Sequence, residues 1–246
     1  MSEIRIEPVV CLTDNYAYIV YRHGSQNAVV IDPSEAPPLL RRLKQLDLRV
    51  DLILNTHHHH DHVGGNEELA TEYAAPVWCS EPDVARVPGA RMGLHDNQVV
   101  ERCGIRWRVL FIPGHTRGQV AYWIEESGSL FVGDTVFSMG CGRLLEGTPK
   151  EMWQSLQRLK ALPPETRMYF GHEYTARNAA FAKTFEPLNE VMNELVDSRL
   201  EATQMALKVR GYAEAPPLFR ELEVNPFFRA KDLQQFTELR AQRDKF

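Results

Sequence analysis

The chain has 246 residues, 43% of them hydrophobic, and a formal net charge of −5, which is enough for one large domain or one and a half around an ordinary core. No basic stripe marks a nucleic-acid surface, no apolar run approaches the ~18 residues of a membrane span, and the first residues lack the basic-then-apolar order of a signal peptide. Cys11, Cys79, Cys103 and Cys141 are scattered without a CxxC; that fits a reducing compartment better than a disulfide framework, so a soluble, cytoplasmic protein is expected.

Residues 3–10, 16–22 and 27–31 are short β-branched or aromatic runs separated by Thr13-Asp14-Asn15 and His23-Gly24-Ser25, and they read as an antiparallel meander. Asp32-Pro33 ends the third run. Ser34 is a candidate cap for a helix through Leu46, with Leu39, Leu40, Leu43 and Leu46 at helical spacing. A strand over 50–54 leads into Thr56-His57-His58-His59-His60-Asp61-His62-Val63-Gly64-Gly65, followed by a helix over 66–74 and a short strand over 77–79. Residues 81–96 read as irregular. Strands over 98–102 and 105–112 flank the Cys103-Gly104 hairpin signal, and the second ends in Pro113-Gly114-His115-Thr116. Two more strands follow, over 119–124 and 130–132, the latter ending in Gly133-Asp134-Thr135. A glycine-rich loop, Met139-Gly140-Cys141-Gly142-Arg143, precedes a helix over 149–159 with Pro149 in its first turn. A strand over 167–170 ends in Gly171-His172.

Beyond Glu173 the pattern turns helical, over 174–184, 188–210 and 232–243, with Pro187, Pro216-Pro217 and Pro226 as punctuation. Basic and acidic residues balance there, so the net negative charge resides in the first part. Two domains are expected, 1–173 and 174–246.

The stretch from His57 to His62 holds five imidazoles and a carboxylate in six positions, a composition that suits neither a core nor decoration. Side chains alternate along extended backbone, so His57 and His59 point one way and His58 and His60 another. A turn after His60 brings Asp61 and His62 back to the same cavity, giving two ligand sets, His57/His59 and Asp61/His62. Imidazole and carboxylate suit Zn, Fe or Mn better than Ca or Cu(I). His115, Asp134 and His172 also tip strand-then-loop runs, each with glycine beside it for close backbone approach; strand ends from packed sheets meet in a cleft and gather ligands from distant sequence.

Thr56-His57-x-His59-x-Asp61-His62, His115, Asp134 and His172 together resemble the metallo-β-lactamase superfamily, whose α+β fold is an αββα sandwich with metals at one edge. Gly140-Cys141-Gly142-Arg143, Glu146-Gly147-Thr148, Gly171-His172-Glu173-Tyr174-Thr175, Asn225-Pro226-Phe227-Phe228-Arg229 and Arg240-x-x-Arg243-Asp244-x-Phe246 resemble the hydroxyacylglutathione hydrolase (glyoxalase II) family across the whole chain. This resemblance implies one metal on His57, His59 and His115, another on Asp61, His62 and His172, and Asp134 bridging two ions roughly 3.5–4 Å apart. Zn is the expected metal, with Fe or Mn as the other family metals. Asp61 and Asp134 are the implied catalytic carboxylates. His58 and His60 match variable positions, and His23 and His95 read as surface or structural.

The same resemblance places the glutathione moiety on Arg143, Tyr174, Arg240 and Arg243, within a helical C-terminal domain. Leu145 stands where lysine-bearing relatives have a tyrosine, so one hydroxyl contact is lost. Cys141 reads as a small packing residue. The implied reaction is hydrolysis of S-(D-lactoyl)glutathione to D-lactate and glutathione, by a monomer and in the detoxification of methylglyoxal. The rival readings are a lactonase or phosphodiesterase on the same fold, a glutathione persulfide dioxygenase, and a non-enzymatic metal-binding or electron-transfer module.

Overall fold

The computed structural model describes residues 2–184 and 190–246. A first sheet runs β1 (Ile4–Cys11), β2 (Asn15–Arg22), β3 (Asn27–Ile31), β4 (Arg49–Leu54), β5 (Val77–Ser80) and β6 (Ala90–Leu94), in that spatial order. β1, β2 and β3 pair antiparallel, as their turn chemistry predicts. The pairs β3–β4, β4–β5 and β5–β6 are parallel and need crossovers. Helix α1 (Ala36–Leu46) supplies the first; α2 (His60–Val63) and α3 (Asn66–Tyr73) supply the second.

The second sheet has the spatial order β13-β10-β9-β8-β7, with β7 at Val99–Arg102, β8 at Ile105–Phe111, β9 at Val120–Ile124, β10 at Ser129–Gly133 and β13 at Arg167–Phe170. Between β10 and β13 come a small ribbon, β11 (Val136–Phe137) with β12 (Gly140–Cys141), and helix α4 (Pro149–Lys160). A capping box fixes the start of α4: Thr148 Oγ1 accepts from Glu151 N at 3.2 Å and Glu151 Oε2 accepts from Thr148 N at 2.7 Å.

The inner strands of both sheets are buried on both faces. Tyr16, Tyr18 and Val20 of β2 face the other sheet, where Trp107, Val109, Tyr122 and Phe131 meet them. Ala17 and Ile19, one residue out of phase, face α1 and its surroundings. This period-2 division across two apolar faces makes β2 an interior strand of a layered structure. The outer face of the second sheet is covered by α4 and by the C-terminal helices α5 (Thr175–Thr184), α6 (Glu190–Arg210), α7 (Leu218–Val224), α8 (Pro226–Arg229) and α9 (Leu233–Lys245). Phe181, Leu218, Phe227, Phe228, Phe236 and Leu239 share one core with Ile112, Leu130, Val132 and Met168. The result is an αββα sandwich with a helical C-terminal part, the expected α+β class.

The structure departs from the sequence expectations at several elements. Residues 90–94 form a strand where irregular chain was expected; Gly93 inside it allows close packing against Glu81. Ser34 does not cap α1, whose N-cap is Glu35; the Ser34 hydroxyl donates instead to Asp32 O at 3.5 Å. α7 and α8 were read as proline punctuation, yet Pro226 occupies the first turn of α8, capped by Asn225. The predicted start of the long helix at Leu188, and Pro187 before it, lie outside the described residues. Among those described, no helix is long and apolar enough to cross a membrane.

Candidate metal centre

Strand direction explains why distant residues meet. β8 and β10 both run antiparallel to β9, and β10 runs parallel to β13, so all three end at the same edge of their sheet. β3 and β4 end together in the other sheet. The residues just past these ends are Asp32, Asn55-Thr56-His57, His115, Asp134 and His172. Two glycines let the chain come this close. Gly133 adopts φ +49°, where a side chain would run into Thr56 Oγ1, and a Cβ on Gly171 would run into Asp134 Oδ1 and come within 2.7 Å of His62 Cε1.

His57, His59 and His115 form one group: His59 Nδ1 lies 3.1 Å from His57 Nε2 and 3.0 Å from His115 Nε2. Asp61, His62 and His172 form a second, with His172 Nε2 3.2 Å from Asp61 Oδ2. Asp134 stands between them. Its Oδ1 lies 3.3 Å from His62 Nε2, and its Oδ2 lies 3.3 Å from His172 Nε2 and 3.6 Å from His115 Nε2. All seven residues singled out in the sequence thus converge on one site. His58 and His60 do not. His58 turns to Asp83, 3.2 Å away, His60 opens α2 at the surface, and His23 and His95 are exposed.

Partners behind the rings set their tautomers. Thr56 Oγ1 donates to Asp32 Oδ2 at 2.6 Å, so towards His57 Nδ1, at 3.0 Å, it can only accept. His57 therefore carries its proton on Nδ1 and directs the Nε2 lone pair inward. His115 Nδ1 donates to Arg143 O at 2.9 Å, His62 Nδ1 to Asp32 Oδ2 at 3.0 Å, and His172 Nδ1 to Asp14 Oδ1 at 2.9 Å. Asn15 Nδ2 donates to Asp61 Oδ2 at 3.1 Å. Such outer partners orient the ligating groups. Sequence reading missed Asp14, Asn15 and Asp32. Asp32 carries one late clue, a non-glycine φ of +47°, an uncommon conformation held here by donations from Thr56 N, Thr56 Oγ1 and His62 Nδ1.

The donor set fits metal ions. Burial, with repulsion from the neighbouring rings, pushes His57 well below the usual imidazole range and His59 down to about 4. His115 is also lowered, chiefly by burial. Where His57 Nε2, His59 Nδ1 and His115 Nε2 meet, only His59 Nδ1 can carry a proton, so at least one pair of lone pairs is left facing and a cation would take them up. In the second group burial opposes protonation, but the Asp134 carboxylate outweighs it and raises His62 to about 10 and His172 to about 11. A proton sits there where a metal ion can stand. Buried His62 Nε2 and Asp134 Oδ1 have no hydrogen-bond partner of good geometry, an arrangement that requires a reason when it is buried.

The site forms the floor of a cleft of about 490 Å³. Phe137, Leu145 and Tyr174 give it apolar surface, and Arg143, Arg177, Arg240 and Arg243 give it positive charge. Tyr174 stacks on His172, with ring centroids 4.8 Å apart and planes 5° from parallel. Burial raises the Tyr174 phenol above its ordinary range, so it remains a donor. Arg240, expected to meet the glutathione moiety, is instead turned into the protein. It is only 4% exposed, and its Nη1 donates to Cys141 O at 2.5 Å and Gly142 O at 3.4 Å, while Nη2 pairs with Asp244 at 3.0 Å. Arg243 donates to Asn178 Oδ1 at 3.1 Å. Cys141 is buried in the core beneath the second sheet.

A sandwich with this edge site is the architecture of a large class of metal-dependent enzymes, and residues 13–172 match the family model of the metallo-beta-lactamase superfamily. Residues 173–246 match the model described as hydroxyacylglutathione hydrolase C-terminus. A hydroxyacylglutathione hydrolase of Methylococcus capsulatus is 41% identical, with 100% of this chain and 99% of that protein aligned; one of Gloeobacter violaceus is 43% identical over 96% and 97%. The chain belongs to the hydroxyacylglutathione hydrolase family and is a hydrolase. Among solved structures, TTHA1623 in a di-iron-bound form is 31% identical over 68% of this chain and 92% of its own, with a TM-score of 0.59. ETHE1 from Myxococcus xanthus shares the fold, with a TM-score of 0.73 at 22% identity over 96% of this chain and 90% of its own. The superfamily and the histidine–carboxylate groups together make this a divalent-metal site.

Proposed function

We propose that the protein hydrolyses S-(D-lactoyl)glutathione and related 2-hydroxyacylglutathiones to the 2-hydroxy acid and glutathione, the second step of methylglyoxal detoxification. The observation that carries this reading is one cleft with metal-type donors at its floor and uncompensated arginine at its mouth. That polarity suits a ligand with a reactive carbonyl at one end and carboxylates at the other.

In this reading His57, His59 and His115 hold one ion, Asp61, His62 and His172 hold another, and Asp134 reaches both. Zn is the metal we favour, with Fe or Mn as the alternatives. Bound cations supply Lewis acidity and bring the pKa of a water down to about 7. The chain does the rest. Asp61 is held in its ionised form by its hydrogen bond with His172, against the effect of burial, and Asn15 fixes its Oδ2; as an ionised acceptor it would orient the attacking water. Tyr174 offers a phenol proton to the bound thiol moiety. The leaving thiolate has a solution pKa of about 8.5, so it departs without a dedicated acid. No serine or cysteine nucleophile is needed, and buried Cys141 with its raised pKa is unsuited to that role.

We assign direct contact with glutathione to Arg143, Tyr174 and Arg243, which line the one cleft. We assign Arg240 to the same subsite through the loop it braces rather than by contact. Residues 1–173 then form the catalytic domain and 174–246 the glutathione-binding domain; the four free thiols support a reducing cytoplasm, where we take the chain to work as a monomer.

The test is steady-state hydrolysis of S-D-lactoylglutathione, followed by loss of thioester absorbance, before and after chelation and metal restoration. Metal-dependent turnover is expected. No turnover in a metal-replete sample would overturn the substrate and direct attention to lactones, phosphodiesters and glutathione persulfide.

A further inference from the structure

Arg177 lies on α5, three residues past Tyr174, and lines the cleft with Arg143 and Arg243. It is exposed. Among the described residues, its guanidinium and that of Arg143 have no hydrogen-bond or ion-pair partner, and Arg243 has only the neutral amide of Asn178. Asp244, an acid whose charge acts on Arg243, is already paired with Arg240. Burial and the charges of Arg177, Arg240 and Arg143 together push Arg243 below the usual guanidinium range, which places these cations within electrostatic reach of one another. Like charges gathered without a counter-charge cost free energy in the empty protein and are relieved by an anion.

Leu145 lines the same cleft with 59% of its surface exposed and offers no polar group to a ligand. A charged substrate therefore has its cationic partners in Arg143 and in the arginines of α5 and α9.

We propose that Arg177 is a specificity-determining residue that, with Arg143 and Arg243, binds a carboxylate of the glutathione moiety at the cleft mouth. The inference rests on the thioesterase reading above and adds to it a residue and a selection rule: the enzyme prefers thioesters whose thiol part carries carboxylates. A guanidinium meets a carboxylate with charge-assisted, paired hydrogen bonds. Because Arg177 is exposed and makes no hydrogen bond or ion pair among the described residues, its removal should leave folding intact.

The experiment compares the metal-loaded wild type with Arg177→Ala and Arg177→Lys on two substrates, S-D-lactoylglutathione and the S-D-lactoyl thioester of N-acetylcysteamine, which has no carboxylate. For the glutathione substrate, Arg177→Ala should raise KM roughly tenfold with kcat within about twofold, the pattern of lost uniform binding, and Arg177→Lys should recover part of the loss. The KM of the wild type should also rise more steeply with salt than that of the alanine variant. On the N-acetylcysteamine thioester the two proteins should be equal. Calorimetric titration with S-methylglutathione should show the same weakening without turnover. Wild-type hydrolysis with an unchanged KM in Arg177→Ala, or equal losses on both substrates, would overturn the role of Arg177 and leave the thioesterase reading standing. Failure of the wild type to hydrolyse lactoylglutathione would overturn the thioesterase reading itself.

Discussion

Asp32 Oδ2 accepts from both Thr56 Oγ1, at 2.6 Å, and His62 Nδ1, at 3.0 Å, so one oxygen sets the orientation of rings in both halves of the site. Through Thr56 it fixes the tautomer of His57; directly, it fixes that of His62. The carboxylate is 2% exposed and lies behind the rings. Its expected effect is on metal affinity, by holding those donors in place.

Asp32→Asn should therefore retain the fold and weaken metal binding. An amide must present its NH2 either to Thr56 N or to Thr56 Oγ1 and His62 Nδ1 together, so in either orientation at least one donor beside the rings loses its acceptor. Loss of such an outer partner costs roughly 10–100-fold in metal affinity. Titration against a competing chelator measures this, and wild-type affinity in the variant would show that Asp32 does not control the rings.

Metal uptake should release protons. In the metal-free protein His62 and His172 have pKa values raised to about 10 and 11, so at pH 7 both Nε2 atoms are protonated and must lose those protons to bind a metal. On the order of two protons should leave per site filled, and affinity should rise with pH up to about 10. The sign for folding is the reverse. A raised histidine pKa stabilises the metal-free fold fully below the ordinary imidazole value, and that contribution is lost as pH rises through 10 and 11. Calorimetry in buffers of different ionisation enthalpy counts the protons; none released at pH 7 would contradict this charge state.

Asp134→Ala and His59→Ala should each abolish turnover and reduce bound metal, for different reasons. Asp134 lies within 3.6 Å of rings from both groups, so its loss should empty both positions. His59 meets the ring nitrogens of His57 and His115, so about half the metal should survive. Metal analysis on purified variants distinguishes the two patterns, and full occupancy with normal activity in either would remove that residue from the centre.

The legible parts of this protein are those whose chemistry is local. The run from His57 to His62 declares itself because five rings in six positions have no plausible use in a core, and the glycines beside Asp134 and His172 mark strand ends. Asp32, Asp14 and Asn15 were illegible because each looks like an ordinary turn residue. Their partners lie 24 to 158 positions away, and only the pairing of β3 with β4 and of Asn15 with His172 brings them together. Arg177 was overlooked for a related reason: one arginine on a helix reads as solvated surface until the rest of the cleft is known. The strand at Ala90–Leu94 failed because Ala-Arg-Met-Gly-Leu has no alternation; it is held by its edge pairing with β5.

Arg240 and Arg243, three residues apart on α9, should respond differently to truncation. Arg243 makes one hydrogen bond, to Asn178, and its loss should raise KM with little effect on kcat or stability. Arg240 holds the carbonyls of Cys141 and Gly142 from below, and the next residue, Arg143, supplies the carbonyl that receives His115 Nδ1. A chain of contacts therefore runs from α9 through the glycine loop to a candidate metal ligand. Arg240→Ala leaves those carbonyls without their donor, at a cost of about 1–3 kcal/mol, and frees the loop that aims His115. Melting temperature and kcat should both fall, with KM rising as well because Arg143 shifts with the loop. Arg240→Ala with unchanged melting temperature and a change confined to KM would mean that Arg240 meets the substrate itself, as the sequence first suggested.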